Sequence, residues 1–92
     1  MQKVNFRYSD TDFIAYLLTL GYKHNQIEVQ RDRYNKIKAF VYFEENKEQL
    51  LKLSNQYQNG SLNVNVLEFT KNRRRITKLI KSAIFKYQAQ EI

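Results

Sequence analysis

The chain has 92 residues, 42% hydrophobic and 14% aromatic, with 16 Lys+Arg against 9 Asp+Glu and a formal net charge of +7. That length predicts a single domain over residues 1–92, with a modest core and little space for a large substrate cavity, and the apolar content excludes disorder by composition. With no cysteine, one histidine and two glycines, disulfides, thiol catalysis, histidine-rich metal centres and glycine phosphate cradles are excluded or nearly so, and we expect no cofactor and no metal.

From Lys3 to Tyr8, Val4, Phe6 and Tyr8 alternate with Lys3, Asn5 and Arg7, the period of a short strand with one buried face. Ser9-Asp10-Thr11-Asp12 then signals a helix start. Ser9 is placed to cap and Asp12 lies three residues on, in a variant of the capping box. Phe13, Ile14, Leu17, Leu18 and Leu20 form an apolar stripe at helical spacing, which reads as core packing, and Gly21 closes the helix. Tyr22 to Asn25 is a connector whose lone histidine, His24, is assigned no role.

Gln26 to Phe43 carries the pattern on which the functional reading turns. Ile27 and Val29 alternate on one arm and Ile37, Ala39, Val41 and Phe43 on the other, predicting a β-hairpin. Arg33-Tyr34-Asn35 suits a three-residue loop with Asn35 in the left-handed conformation. This register sets Arg31 opposite Ile37 and Asp32 opposite Lys36, and it gathers Arg31, Arg33, Lys36 and Lys38 around Tyr34 at one tip. Phe40 and Tyr42 face away from Val41 and Phe43. On an open sheet they would stack bases, but with three helices available a covered face is the expectation.

A second helix is expected from Glu44-Glu45-Asn46, with Asn46 as cap, Gln49 at the third position and Leu50, Leu51, Leu53 and Tyr57 buried. Gln58-Asn59-Gly60-Ser61 ends it, and Leu62, Val64 and Val66 suggest a brief strand or extended link. Asn65 with Glu68 makes another capping box, opening the longest helix, about Val66 to Gln88. Its apolar sector holds Phe69, Ile76, Leu79, Ile80, Ala83 and Tyr87, and the opposite sector Lys71, Arg74, Arg75, Lys78 and Lys81. Such a charge run serves either as a solvated face or as a track for a phosphate backbone. Phe85 near the basic sector and Ile84 at the apolar margin leave surplus hydrophobic surface, which an oligomer contact would use.

The fold class is therefore α+β, ordered β-α-β-β-α-α, with the first strand beside the hairpin. Seven tyrosines raise the possibility of a DNA-nicking nucleophile, but scattered acids and one histidine do not supply its metal. We expect no enzyme. Binding to double-stranded DNA fits better. Arg31 and Arg33 are candidates for base edges or a narrow minor groove, Lys36 and Lys38 for phosphates, joined by Arg74, Arg75 and Lys78 if the last helix lies alongside. No run of about 18 apolar residues occurs, so no membrane partner and a cytoplasmic location are expected.

A resemblance adds to this reading. Ser9-Asp10, Ala15, Leu17-Leu18, Leu20-Gly21-Tyr22, Phe40-Val41-Tyr42-Phe43-Glu44, Tyr57-Gln58-Asn59-Gly60, Leu62 and Val64 are similar to a small domain of Gram-positive bacteria, phages and plasmids. Within that group the chain resembles the winged helix-turn-helix relaxosome accessory proteins of clostridial conjugative plasmids. The resemblance implies a homodimer that binds repeats in an origin of transfer through a β-wing, working beside a relaxase. Here the wing would be Gln26 to Phe43, and the role would fall on Gln30, Arg31, Arg33, Tyr34, Lys36 and Lys38. A transcriptional repressor of a mobile element, or a protein-binding inhibitor module, would draw on the same residues.

Overall fold

A computed structural model describes residues 3–60 and 63–91. It contains β1 (Lys3–Tyr8), α1 (Thr11–Thr19), β2 (Gln26–Arg31), β3 (Ile37–Asn46), α2 (Lys47–Gln58) and α3 (Val66–Gln90). The strands form one antiparallel sheet in the order β1-β3-β2, so the first strand does lie beside the hairpin.

Residues directly opposite in an antiparallel pair share a face. Phe6 faces Phe43 and Tyr8 faces Val41 on one side of β3, while Ile27 faces Val41 and Val29 faces Ala39 on the other. This apolar face takes Phe13, Ile14 and Leu17 of α1, Leu50 and Leu53 of α2 and Ile76 of α3 into a single core with Val41 and Phe43. All three helices thus pack on one side. The face bearing Arg7, Phe40 and Tyr42 contributes nothing to that core, contrary to the expectation that helices would cover it. Each helix has only one apolar stripe, and the Val41–Phe43 face consumes all three.

Local signals set the helix starts with one correction. Asp10 rather than Ser9 caps α1, its carboxylate accepting from Asp12 N at 3.0 Å and Phe13 N at 3.3 Å. The Tyr57 hydroxyl donates to the same carboxylate at 3.2 Å, and burial, reinforced by that charge, pushes its pKa up. At α2, Asn46 accepts from Glu48 N and Gln49 N, and at α3 Asn65 accepts from Glu68 N. Glu44 and Glu45, expected at a helix start, belong instead to β3. They pair with Asn5 and Val4, because β1 extends the central strand beyond the hairpin's own length.

The stretch from Asn63 to Asn65 has no regular structure, and the expected turn residue Ser61 and link residue Leu62 lie outside the described residues. Beyond the expected end at Gln88, α3 continues to Gln90.

Candidate nucleic-acid interface

The hairpin forms in the expected register. Arg31 pairs with Ile37, Asp32 N donates to Lys36 O at 2.8 Å, and Asn35 takes φ 63°. Asp32 organises the loop through Oδ1, which accepts from Tyr34 N at 2.8 Å and Lys36 N at 3.0 Å. The Lys36 amide is the main reason that the Asp32 carboxyl lies below its ordinary pKa, with Tyr34 N and Lys38 assisting.

Not all the tip cations are free. Arg31 shares the inward face with Ile27 and Val29, and there it meets the end of α3. Its Nε and Nη2 donate to Glu91 Oε2 and Oε1, both at 2.7 Å, and its Nη1 to Asn35 O at 2.7 Å. Arg31, expected at base edges, therefore joins the loop to the last helix. That hydrogen bonding holds the Glu91 carboxyl below its usual range. Lys38 sits on the outward face opposite Gln30, with Asp32 at 3.7 Å. The parts that project are Arg33, Tyr34 and Lys36. Tyr34 is 68% exposed, with the Arg33 guanidinium 4.9 Å from its ring centroid.

A carboxyl whose pKa is lowered on folding stabilises the fold above its unfolded value and loses that contribution as pH falls through the folded one. Asp32 and Glu91 are both of this kind, so the tip is fully tied at neutral pH and loosens below about pH 4. In an NMR titration the Tyr34 and Lys36 amides will shift together, with a midpoint below the ordinary aspartate value. Independent titration of the two amides would contradict the shared acceptor.

A second cationic region lies on α3. Leu67, Lys71, Arg74, Lys78, Lys81 and Phe85 recur at alternating steps of four and three, so they form one stripe, and all are exposed. From Lys71 to Lys81 the stripe runs about 15 Å, one cation for each 5 Å or so of axis. None of these four has an ion pair among the described residues, whereas Arg73, turned toward α1, is held by Asp12. Arg75 is also exposed, to one side of the stripe.

Arg74, Arg75 and Lys78 are not brought to the hairpin tip. They lie about 20–26 Å along the helix from Glu91, where α3 meets the hairpin. The candidate interface consequently has two separate parts, a projecting tip and a helix row.

Sequence reasoning left three groups out of the site. Lys71 and Lys81 were visible in the basic sector. Lys23 and His24 line a cleft with Arg75 that only the packing of the connector on α3 creates. Arg7 places its guanidinium 4.4 Å from the centroid of the Phe40 ring on the open sheet face. Strand alternation signalled its face, but not that the face would remain uncovered.

These features define a small α+β domain with a basic hairpin and a basic helix. The chain belongs to the family described as a domain of unknown function, DUF5659, whose model matches residues 3–82. No match was found among curated proteins or solved structures. The matched span takes in the hairpin, the cation row and the cleft, and stops short of Phe85 and Glu91. Among the described residues, no group of three or more His, Cys, Asp or Glu could hold a metal ion, and no helix is long and apolar enough to cross a membrane.

Proposed function

We propose that this domain binds double-stranded DNA, with the α3 row on the phosphate backbone and the hairpin as a wing that selects the site. The observation that carries the reading is the row itself: four exposed cations in register, without an acid among them or an ion-pair partner in the described chain. Internal pairing is the usual fate of surface cations near acids, as at Arg31, Lys38 and Arg73. A row that escapes it keeps its field for an external polyanion.

Arg33, Tyr34 and Lys36 are the groups of the wing that reach outward. Arg33 is the one suited to a guanine edge or a narrow minor groove. Arg31 holds the wing against α3 and acts by position. Gln30 and Lys38 flank the tip on its outward face.

The finer reading is a winged helix-turn-helix protein resembling TcpK, acting as a homodimer at an origin of transfer alongside a relaxase in plasmid conjugation. The hairpin precedes α2 and α3 in this chain, so selection is assigned to the wing and not to a groove-reading helix. Val66, Leu67 and Phe85, each more than 70% exposed, supply apolar surface for a second copy. A repressor acting at an operator would use the same contacts.

A second reading is favoured by the open sheet face. Phe40 and Tyr42 lie two residues apart on the central strand, about 6.7 Å, roughly twice the spacing of stacked bases. They would suit a splayed single strand better than a duplex.

One binding series tests both readings. Fluorescence anisotropy on cognate and random duplexes will show that Arg33→Ala with Lys36→Ala lowers the preference for the cognate site by about tenfold, in line with loss of a bidentate base contact. Affinity for random duplex will change much less. Equal loss on both duplexes would remove the wing from site selection. Tighter binding of a single strand than of either duplex, abolished by Phe40→Ala, would favour the sheet reading instead.

A further inference from the structure

Beside the α3 row, the end of α1, the connector to β2 and α3 together border an open cleft of about 500 Å³, lined by Leu18, Gly21, Tyr22, Lys23, His24, Asn72, Arg75 and Leu79. Three of these are bases, contributed by two separate elements, and no acid lines the cleft. Leu18, Leu79 and Tyr22 form the apolar part of the wall, and low-dielectric walls strengthen the pull of nearby cations on an anion.

Local backbone geometry holds this shape in place. Gly21 takes φ 98°, with its N–H donating to Leu18 O at 3.0 Å, and Tyr22 N donates to Leu17 O at 3.1 Å. These bonds close the end of α1 and fix the path of Lys23 and His24. The Tyr22 hydroxyl accepts from Gln49 Nε2 at 3.1 Å, while the Asn72 amide nitrogen donates to Thr19 Oγ1 at 3.1 Å. Both polar wall groups are thereby anchored at one end.

We infer that this cleft binds a single phosphorylated nucleotide unit, its phosphate held by Lys23, His24 and Arg75 and its base laid on Leu18, Leu79 and Tyr22. The apolar wall beside the three bases favours this over a simple anion, and the cleft holds more space than one phosphate fills. The Asn72 amide in the lining retains an acceptor oxygen and a second N–H with which it can bond a base edge. The same chemistry is offered by a free nucleotide and by the phosphorylated end of a nucleic-acid strand. Arg75 borders the cation row, but Lys23 and His24 lie outside it, and the inference does not depend on duplex binding.

The test is an NMR titration of the full-length chain with thymidine 5′-monophosphate, thymidine, inorganic phosphate and a 5′-phosphorylated trinucleotide. The monophosphate will move the amides of Gly21 to Asn25 and of Leu79 saturably, binding at least about tenfold more tightly than thymidine or phosphate alone. Lys23→Gln with Arg75→Gln, both at exposed positions, will weaken this by about tenfold or more and leave the remaining spectrum unchanged. Tighter binding of the trinucleotide assigns the site to strand ends, and equal or weaker binding to free nucleotides; either supports the inference. It is overturned if phosphate binds as well as the monophosphate, if none of the probes saturates, or if the double variant binds unchanged. Loss of duplex binding alone would leave it standing.

Discussion

On the proposed duplex-binding reading, replacing Lys71, Arg74, Lys78 and Lys81 together with glutamine is expected to lower affinity for duplex DNA by about 10²–10³-fold at 50 mM salt and to flatten its salt dependence. Four neutralised phosphates contribute about −3.6 to the slope of log K against log salt, so the slope should become shallower by about that amount, and by about twice that for a dimer. Between 50 and 200 mM salt the difference alone amounts to roughly two decades of affinity. Glutamine removes the charge and keeps a helix propensity close to that of lysine and arginine. All four positions are exposed, so the melting temperature serves as a control that should barely move. An unchanged slope with an unchanged fold would show that the row is only a solvated face.

Phe43→Ala is the substitution expected to cost most stability. Phe43 is 1% exposed, sits opposite Phe6 on β1, and belongs to the one core that all three helices share. Truncating a buried phenylalanine removes its transfer free energy and leaves a cavity, together about 3–5 kcal/mol. A domain of this size holds only about 5–15 kcal/mol in all. The melting temperature should therefore fall by about 12 °C or more, measured by circular dichroism. The central strand has few ways to relax, because β1 and β2 fix its register on both sides. Phe40→Ala, three residues earlier on the same strand and on its opposite face, should cost far less, since that ring lies outside the core. Equal losses at the two positions would mean that both faces of the sheet are packed.

Local chemistry carried most of the fold in readable form. Alternation at Val4, Phe6 and Tyr8, and along both hairpin arms, gave the strands, because a strand with one buried face must repeat every second residue. The left-handed Asn35 and the caps at Asn46 and Asn65 were legible because each is a short-range solution to an unpaired backbone group. The α1 cap was misplaced by one residue because Ser9 and Asp10 are both competent. The choice between them includes Tyr57, which reaches Asp10 from 47 positions away.

Periodicity and local bonds were enough to predict the α+β class, the hairpin and its loop, and the separation of α3 into an apolar face and a cationic one. Which cations remain unpaired was decided by the tertiary structure alone. Strand alternation already grouped Arg31 with Ile27 and Val29, but only the course of α3 brings Glu91 to it across 60 positions. Likewise, only the arrangement of all three helices on one side of the sheet leaves Phe40 and Tyr42 without a helix over them and sets Lys23 and His24 beside Arg75. The reason is physical: charge pairing and burial depend on distances between elements, and no short window of sequence fixes those.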